Sequence, residues 1–558
     1  MTESVLPLAA VLTPLAGIVG IVALGDRPNL REAVTILTAL LTLGFVAGMV
    51  PDVLAGQALE TDLGTFVPGV EFVLRADPLG MVFGLLASFL WLVTSFYSIG
   101  YMRGLDEHSQ TRYFAAFAGS IASALGVAFA ANLIILYLFY ELLTVATYPL
   151  VAHDETEEAR TAGRKYLAYT FGGGVTALAG TAILAAATGT VSFTAGGIPQ
   201  LASVDPLVGR AVFGLLVAGF GVKAALMPIH SWLPDAMVAP TPVSGLLHAV
   251  AVVKSGVFAI ARVVLDVFGP EQMADWGLGL PLAIVAAATI LLASVIALRQ
   301  DNLKRRLAYS TISQLSYIIL GLGLLSPWAL VGGLLHIPAH AFMKLTLFFA
   351  AGAIHVETHT DDISDMAGIG KRMPVTMIAF AVASVGMAGL PLVAGFVSKW
   401  YLLLGSVDAG QVVFVLVLLA SGLLNIGYFW PIVYQAFFQS PDRADPKPVI
   451  EGPLGGSPAV ADGGEPDKEH AVDRNPSDHD LPETDQTDHD PAGGHDHHGG
   501  PPAGGWERRS LGAESTWFML GPILTAAAGA VVLGIDPEGA IFLKLIQAIV
   551  EGATGVGL

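Results

Sequence analysis

Long apolar stretches alternate with short polar segments along the whole chain. Runs of about 20 apolar residues match the length that an α-helix needs to cross the hydrocarbon core of a bilayer. We predict fourteen such helices, at roughly residues 5–25, 33–50, 79–101, 113–130, 132–151, 166–187, 211–227, 243–264, 278–298, 307–325, 329–354, 375–404, 412–438 and 517–533. The pattern therefore predicts an all-α polytopic membrane protein.

Composition agrees with the hydrophobic pattern. The 558 residues are 54% hydrophobic and 13% charged, against about 25% charged residues in soluble domains. Cysteine is absent from the sequence, so a thiolate-held iron–sulfur cluster or zinc site is not expected, and we predict no cofactor. The first residues, MTESVLPL, lack the basic region of a cleaved signal, so the first helix should remain.

Basic residues are concentrated in alternate loops. Arginine and lysine lie mainly between helices 1 and 2, 3 and 4, 5 and 6, 9 and 10, 11 and 12, and 13 and 14. The positive-inside rule places these loops in the cytoplasm and both termini outside. The exceptions are Arg75, Arg210 and Arg262.

The loop after helix 13 differs from the rest of the chain. Between residues 441 and 510 there are 16 acidic and 6 basic residues, with many Pro, Gly and His residues. Such a segment has too few apolar side chains to form a core, so we predict a disordered cytoplasmic loop. The histidines at 495–498 could bind a divalent metal weakly, but a solvated tether is the preferred interpretation.

Five charged residues lie inside apolar stretches: Glu141, Lys223, Lys254, Lys344 and Lys399. A charged side chain at the centre of a spanning helix costs about 2.5–3.5 kcal/mol on insertion scales. Lysine, unlike arginine, can release its proton when it is desolvated. These residues therefore predict proton movement across a membrane.

Prolines interrupt two of the predicted helices. Lys223 precedes Pro228 in helix 7, and Lys399 follows Pro391 in helix 12. Proline removes a backbone donor and frees carbonyl groups at membrane depth. Broken helices with a titratable residue, at matching places in two halves, indicate an ion path in transporters built from inverted repeats. The alternative is that each kink serves packing alone.

Four histidines are further candidates for the same path. His336, His340 and Lys344 are spaced four residues apart on helix 11 and should form one stripe. A His pair at this spacing can bind zinc, but no carboxylate or thiolate lies near it in sequence, so a protonatable ladder is preferred and no metal is predicted. His248 should face away from Lys254, and His230 follows Pro228.

The segments NLIILYLFYELLTVATYPLV, VKAALMPIHSWLPDAMVAPTPVSGLLHAVAVVKSG, HIPAHAFMKLTLFFAAGAI and GLPLVAGFVSKWYLL resemble the proton-translocating antiporter family, which includes antiporter-like subunits of respiratory complex I and large subunits of Mrp cation/proton antiporters. APTPVSGLLHAVAVVKSG and GLPLVAGFVSKW are most similar to the Mrp D subunit. The resemblance implies two inverted five-helix repeats and operation within a complex. We accordingly divide the chain into 1–111, a first repeat 112–268, a second repeat 269–440, the loop 441–512, and 513–558 with helix 14.

The resemblance also implies roles for single residues. Glu141 and Lys223 match the glutamate–lysine pair of the family, and their separation would act as a switch. Lys254 matches the relay residue where the two halves meet. Lys399 matches the terminal charged residue, which is glutamate in some members.

The function expected from this sequence is that of a proton-translocating subunit in a sodium/proton antiporter of the cell membrane. The alternative is a pump subunit of an NADH–quinone or hydrogenase-type oxidoreductase, whose membrane residues would be the same. A third function, metal export, would need acidic or histidine ligands paired across helices at mid-membrane. The sequence shows lysines there, so metal export is not expected. The expected partners are other membrane subunits, protons and sodium, without nucleic acid.

Overall fold

The computed structural model describes residues 2–441, 499–502, 505–539 and 541–557. Helical residues occur in each of the fourteen predicted segments. Apart from the eighth and twelfth segments and two short helices, Trp232–Asp235 and Pro270–Asp275, the α-helices of the described residues are α1 Leu6–Ala23, α2 Pro28–Leu54, α3 Pro78–Gly104, α4 Gln110–Phe129, α5 Leu133–Val151, α6 Glu157–Thr188, α7 Pro206–Lys223, α9 Gly279–Leu298, α10 Leu303–Leu324, α11 Pro327–Thr358, α13 Val412–Phe438, α14 Trp517–Ile535 and α15 Phe542–Thr554. Among the described residues, 12 helices are long and apolar enough to cross a membrane.

Both interruptions predicted at prolines are present. Helix α7 ends at Lys223, and Pro228 lies in a non-helical stretch before the short helix Trp232–Asp235. The twelfth segment consists of α12a, Pro374–Ala388, and α12b, Ala394–Asp408, with Pro391 between them. The two broken helices are therefore confirmed.

The eighth segment is also interrupted, although no proline lies within the break. It consists of α8a, Thr241–Gly245, a π-helical turn at Leu246–Val250, α8b, Val252–Arg262, and a second π-helical turn, Val263–Phe268. The helix predicted over 243–264 is therefore present, but it is not a regular α-helix throughout. In the first π turn the backbone hydrogen bonds span five residues instead of the four of an α-helix, as when Ala251 N donates to Leu246 O at 2.9 Å. Such turns are frequent at functional sites.

A small β-sheet was not predicted. Strands β2, Leu59–Val67, and β3, Val70–Ala76, form an antiparallel hairpin, and β1, Thr2–Glu3, pairs with β2 in parallel. The turn contains Pro68 and Gly69, and the φ of 84° at the second residue suits glycine. The sequence VPGV between two β-rich runs carried the signal for this hairpin.

The loops separate onto two faces. The loops that precede α4, α6, α10 and α12a surround one cavity, lined in part by Glu107, Asp154, Asn302 and Asp361. On the opposite face the hairpin joins the α4–α5 loop, because Ala131 N donates to Val73 O at 3.2 Å. The basic loops before α4, α6, α10 and α12a therefore share one face, here called the cavity face.

The core lies around α10 and α11, whose most apolar windows are buried throughout. By contrast, α1, α2 and α13 expose large apolar residues such as Val19, Leu37 and Leu423. Exposed leucine and valine on a spanning helix suit contact with lipid. His336, His340 and Lys344 of α11 thus lie where lipid does not reach them.

Most of the predicted acidic loop 441–512, including residues 495–498, lies outside the described residues. Its described end, from residue 505, packs on the loop before α12a. Trp506 Nε1 donates to Ala367 O at 2.9 Å, and Arg509 N donates to Lys371 O at 3.1 Å. The C-terminal helix α15 buries its apolar face against α3 and α11.

Arg262, an exception to the distribution of basic residues, is buried in an ion cluster. Its Nη1 lies 2.7 Å from Asp77 Oδ2 and 2.8 Å from Asp266 Oδ2, and its Nη2 lies 2.7 Å from Asp77 Oδ1. Asp77 also caps α3 by accepting from Gly80 N at 2.7 Å. Arg262 therefore connects the start of α3 to the end of the eighth segment.

Replacing Arg262 with methionine should destabilise the protein, because the buried Asp266 and the partly buried Asp77 would lose their cation. Breaking a buried ion pair typically costs about 3–5 kcal/mol. The matched control is Arg164→Met, which removes an exposed pair with Glu157. Thermal unfolding in detergent should show a clearly lower midpoint for the Arg262 variant alone, and equal midpoints would contradict the structural role.

Candidate functional site

All five charged residues predicted within apolar helices lie inside the protein. The side chains of Lys223, Lys254 and Lys344 are fully buried, and Lys399 is 7% exposed. Glu141 is half-buried, but both of its carboxylate oxygens are shielded from solvent. Each lysine therefore needs an acceptor from the protein.

Lys223 is the last residue of α7 and reaches across to α5. Its Nζ donates to the carbonyl of Tyr140 and lies 3.6 Å from the centroid of the Tyr140 ring. The carboxylate of Glu141, the next residue on α5, has no hydrogen-bond partner among the described residues and forms no ion pair within 4.0 Å. The predicted pair is thus separated by more than ion-pair distance in this structure.

A glycine makes room for the Glu141 carboxylate. A Cβ atom on Gly174 of α6 would lie 2.0 Å from Glu141 Oε1, and one on Gly173 would lie 2.7 Å from Gly219 O of α7. A Cβ on Gly172 would meet nothing within 4 Å. The glycine run 172–174 therefore serves close helix packing at Gly173 and Gly174, and Gly174 faces the Glu141 carboxylate.

Lys254 bonds a histidine of the neighbouring helix. Its Nζ lies 2.8 Å from Nδ1 of His340 on α11, and His340 Nε2 has no partner among the described residues. Nδ1 must accept from a charged Lys254, so Nε2 carries the proton of the neutral ring. His248 lies in the first π turn, and neither ring nitrogen has a described partner.

His336 is held by two polar side chains. Its Nε2 lies 2.9 Å from Gln314 Oε1, and its Nδ1 lies 2.8 Å from Ser398 Oγ. Gln314 donates through Nε2 to Asn425 Oδ1 at 3.0 Å, which leaves Oε1 as the acceptor. His336 Nε2 therefore carries a proton, and Nδ1 accepts from the Ser398 hydroxyl.

Lys399 is held at the break in the twelfth segment. Its Nζ donates to the carbonyl of Met387 in the last turn of α12a and lies 4.8 Å from the centroid of Tyr317. The last carbonyls of a helix lack helical partners and lie at its negative end. The break thus supplies a neutral acceptor for this ammonium.

The aromatic rings connect these groups into a row. The centroids of His340 and His336 are 6.1 Å apart, and those of His336 and Tyr317 are 5.3 Å apart. The row therefore runs from Lys254 through His340, His336 and Tyr317 to Lys399.

Lys344 lies beside this row. Its Nζ donates to Leu307 O at 3.0 Å and to the hydroxyl of Ser310, both on α10. Of the predicted ladder on helix 11, the two histidines thus follow the row and Lys344 points towards α10. His230 is half-buried after the α7 break, with its ring 6.4 Å from Tyr309.

The cavity face carries a cavity of about 860 Å³. Its lining includes the acidic residues Glu107, Asp154, Asp235 and Asp361, together with Lys304. Burial raises the pKa of the Asp154 carboxyl, and burial together with the nearby Asp154 charge raises the pKa of Glu107. The cavity therefore concentrates carboxylates near the loops that follow α5 and α7.

The transmembrane region that defines the NADH:quinone oxidoreductase and Mrp antiporter proteins matches residues 130–424, more than half of the chain. This chain belongs to the NADH:quinone oxidoreductase/Mrp antiporter family. The matched region of the family includes Glu141 and all four buried lysines.

Two relatives represent the two branches of the family. The NADH-quinone oxidoreductase subunit N of Desulforudis audaxviator is 37% identical over 397 residues, which cover 69% of this chain and 76% of the relative. One component of the probable K(+)/H(+) antiporter of Rhizobium meliloti is 34% identical over 458 residues, which cover 79% of this chain and 44% of the relative. The chain thus spans less than half of that antiporter component.

The fold agrees with the family. A chain in the structure of the Mrp complex from Dietzia sp. DQ12-45-1b superposes with a TM-score of 0.77 at 22% identity. The match covers 98% of this chain and 97% of that chain. The two chains therefore share a fold.

Sequence reasoning found the titratable residues of the site but missed the groups that hold them. Tyr140, Gln314, Tyr317 and Ser398 all contact a predicted residue, and none was singled out. The run STISQLSY, residues 310–317, carried a usable signal, because most of its residues have polar groups within a buried apolar helix.

Alanine at Gly174 should displace the Glu141 carboxylate, since the new methyl group would overlap Oε1. In contrast, Gly172→Ala should be neutral or stabilising, because alanine lowers the entropy of the unfolded chain and fits open space. Thermal unfolding of the two variants compares the same substitution two residues apart on one helix. A Gly174 variant as stable as the Gly172 variant would show that Glu141 is not confined by this contact.

Proposed function

We propose that this chain is the proton-translocating subunit of a multisubunit monovalent cation/proton antiporter, with sodium as the exchanged cation. The observation that carries the proposal is the buried row from Lys254 through His340, His336 and Tyr317 to Lys399. Proton transfer needs groups that bind and release protons at short separations, and lysine and histidine are suited to this role. Membership of the antiporter family supports the same reading.

Glu141 and Lys223 act as the switch at the first helix break. Lys223 is held here by the Tyr140 carbonyl, away from direct contact with Glu141. When Nζ contacts the carboxylate, the opposite charge favours the ammonium, and when they separate the proton can leave. The short non-helical stretch after Lys223 gives this lysine freedom to move between the two acceptors.

The histidines carry the proton between the switch and the exit. His340 Nδ1 accepts a proton from the Lys254 ammonium and releases its own Nε2 proton towards His336. On His336 the accepting atom is Nδ1, which takes the Ser398 hydroxyl proton as that hydroxyl takes the incoming one. The two rings are too far apart for a direct bond, so a water molecule bridges them. At the exit, the Lys399 ammonium first releases a proton beside the α12 break, and its neutral amine then takes up the proton passed on from His336. His230, His248 and Lys344 are candidates for side branches of this path.

The second candidate function is a proton-pumping subunit of an NADH–quinone or hydrogenase-type oxidoreductase. The 37% identity to a subunit N over 76% of its length favours it. In both cases this chain moves protons, and other membrane subunits supply the sodium path or the redox centres. We place the protein in the cell membrane with the cavity face in the cytoplasm and both termini outside. The helices of residues 112–268 and 269–440 form the two inverted repeats of this proposal.

Replacing Lys223 with alanine should abolish cation-dependent proton uptake in vesicles that contain the assembled complex, because the switch loses its proton site. Lys223→Arg should also fail, since guanidinium does not release its proton at working pH. The measurement is fluorescence of a pH-sensitive dye after sodium or potassium is added.

The matched control for this experiment is Lys371→Ala, which removes an exposed lysine from the loop before α12a. The control should transport normally at equal expression. Normal transport by the Lys223 variants would remove the basis of the proposed relay.

The driving force separates the two candidate functions. The antiporter predicts proton uptake driven by an imposed sodium or potassium gradient, and purification of the chain with small membrane subunits. The oxidoreductase predicts proton movement that requires NADH or another electron donor, and purification with iron–sulfur subunits. Redox-driven transport without a cation gradient would replace the first proposal by the second.

A further inference from the structure

Two loops on the cavity face bring together one glutamate and two histidines. Glu107 and His108 lie between α3 and α4, and His153 follows α5. Glu107 Oε2 is 3.8 Å from His108 Nδ1 and 3.8 Å from His153 Nε2. One ligand atom from each residue lies within 4.8 Å of the other two. In the described part of the chain, no other group of three His, Asp or Glu side chains meets this criterion.

The burial of His153 is the feature that points to a ligand. Its side chain is 0% exposed, yet neither ring nitrogen has a hydrogen-bond partner among the described residues. Buried polar atoms are nearly always paired, and an unpaired one costs free energy. Because Nε2 lies 3.8 Å from Glu107 Oε2, a cation between them would give Nε2 a partner and neutralise the carboxylate.

The orientation of His108 supports the same conclusion. Its Nε2 donates to the carbonyl of His153 at 3.1 Å, so its Nδ1 presents a lone pair to Glu107. Metal-binding histidines usually donate their other ring N–H to a carbonyl or carboxylate in this way. Arg112 also donates to the His153 carbonyl, at 3.0 Å. Because Arg112 pairs with Glu155, its positive charge beside the three residues is balanced by a carboxylate.

We propose that Glu107, His108 and His153 bind one divalent transition-metal cation, for which Zn²⁺ is the best match, with water as the fourth ligand. Two imidazole nitrogens and one carboxylate suit zinc, whereas Ca²⁺ and Mg²⁺ prefer oxygen ligands. Tetrahedral bonds of about 2.1 Å place ligand atoms about 3.4 Å apart. The contacts at 3.8 Å are close to this value, and small shifts of the half-exposed His108 side chain would complete the site without breaking its bond to the His153 carbonyl.

The ion would join the α3–α4 loop to the end of α5, the helix that carries Glu141. The site is separate from the buried row of lysines and histidines, and binding is measured without transport. Zinc binding and the proposed function can therefore fail independently.

The test is isothermal titration of Zn²⁺ into the full-length chain with its partner subunits, purified without a histidine tag. All samples carry alanine at the six histidines of residues 470–498, because that segment could bind zinc by itself. The parent protein, which carries only these six substitutions, should bind one more Zn²⁺ than the His108→Ala variant does. The loss of the His108 ligand should weaken zinc binding at this site by more than about tenfold. Glu107→Gln should act in the same direction.

The matched control is His359→Ala, which removes an exposed histidine from another loop. It should bind Zn²⁺ as the parent does, and Ca²⁺ or Mg²⁺ should give no comparable heat. Zinc should also raise the melting temperature of the parent more than that of His108→Ala, since a ligand of the folded state stabilises it. Equal zinc binding by the parent and His108→Ala would overturn the proposal.

Discussion

Four buried lysines impose one constraint on the core of this protein, because each ammonium group needs an acceptor where water is scarce. Each finds it on a different element. Lys223 uses the Tyr140 carbonyl on α5, Lys254 uses His340 on α11, and Lys344 uses Leu307 and Ser310 on α10. Lys399 uses a carbonyl that the α12 break leaves free. Each buried lysine therefore requires one neighbouring element, α5, α10, α11 or the α12 break, to lie within hydrogen-bond distance of its ammonium group.

Much of the fold and many candidate site residues could be predicted, because a helix that crosses lipid must be apolar and any charge or proline within it stands out in the sequence. A charge within about twenty apolar residues is visible in the sequence, and a proline in such a run marks a break. The β2–β3 hairpin and the π turn at Leu246–Val250 were missed for different reasons. The hairpin had a turn signal that was overlooked, whereas the π turn contains only Leu, His, Ala and Val residues and depends on tertiary packing.

The partners of the site residues could not be predicted from spacing. Lys254 and His340 are separated by 86 residues, and His336 and Ser398 by 62. Only the packing of α8b, α10, α11 and α12b brings these groups within hydrogen-bond distance. The expected contact between Glu141 and Lys223 rested on family resemblance, and here the carboxylate faces Gly174 while the lysine bonds a backbone carbonyl. In the proposed switch this pair alternates between contact and separation, and a sequence does not specify which of the two arrangements a structure shows.

The contrast between arginine and lysine at similar burial explains why only one of them belongs to the proposed relay. Arg262 contacts two carboxylates, Asp77 and Asp266, through three bonds of 2.7–2.8 Å. In the described residues, none of the four lysines has a carboxylate oxygen within ion-pair distance, and all their hydrogen bonds go to carbonyl, hydroxyl or imidazole acceptors. A charge matched by two carboxylates is fixed, because losing its proton would leave them unpaired. A charge held by neutral acceptors can lose its proton without leaving an opposite charge behind, and this is the property that proton transfer requires.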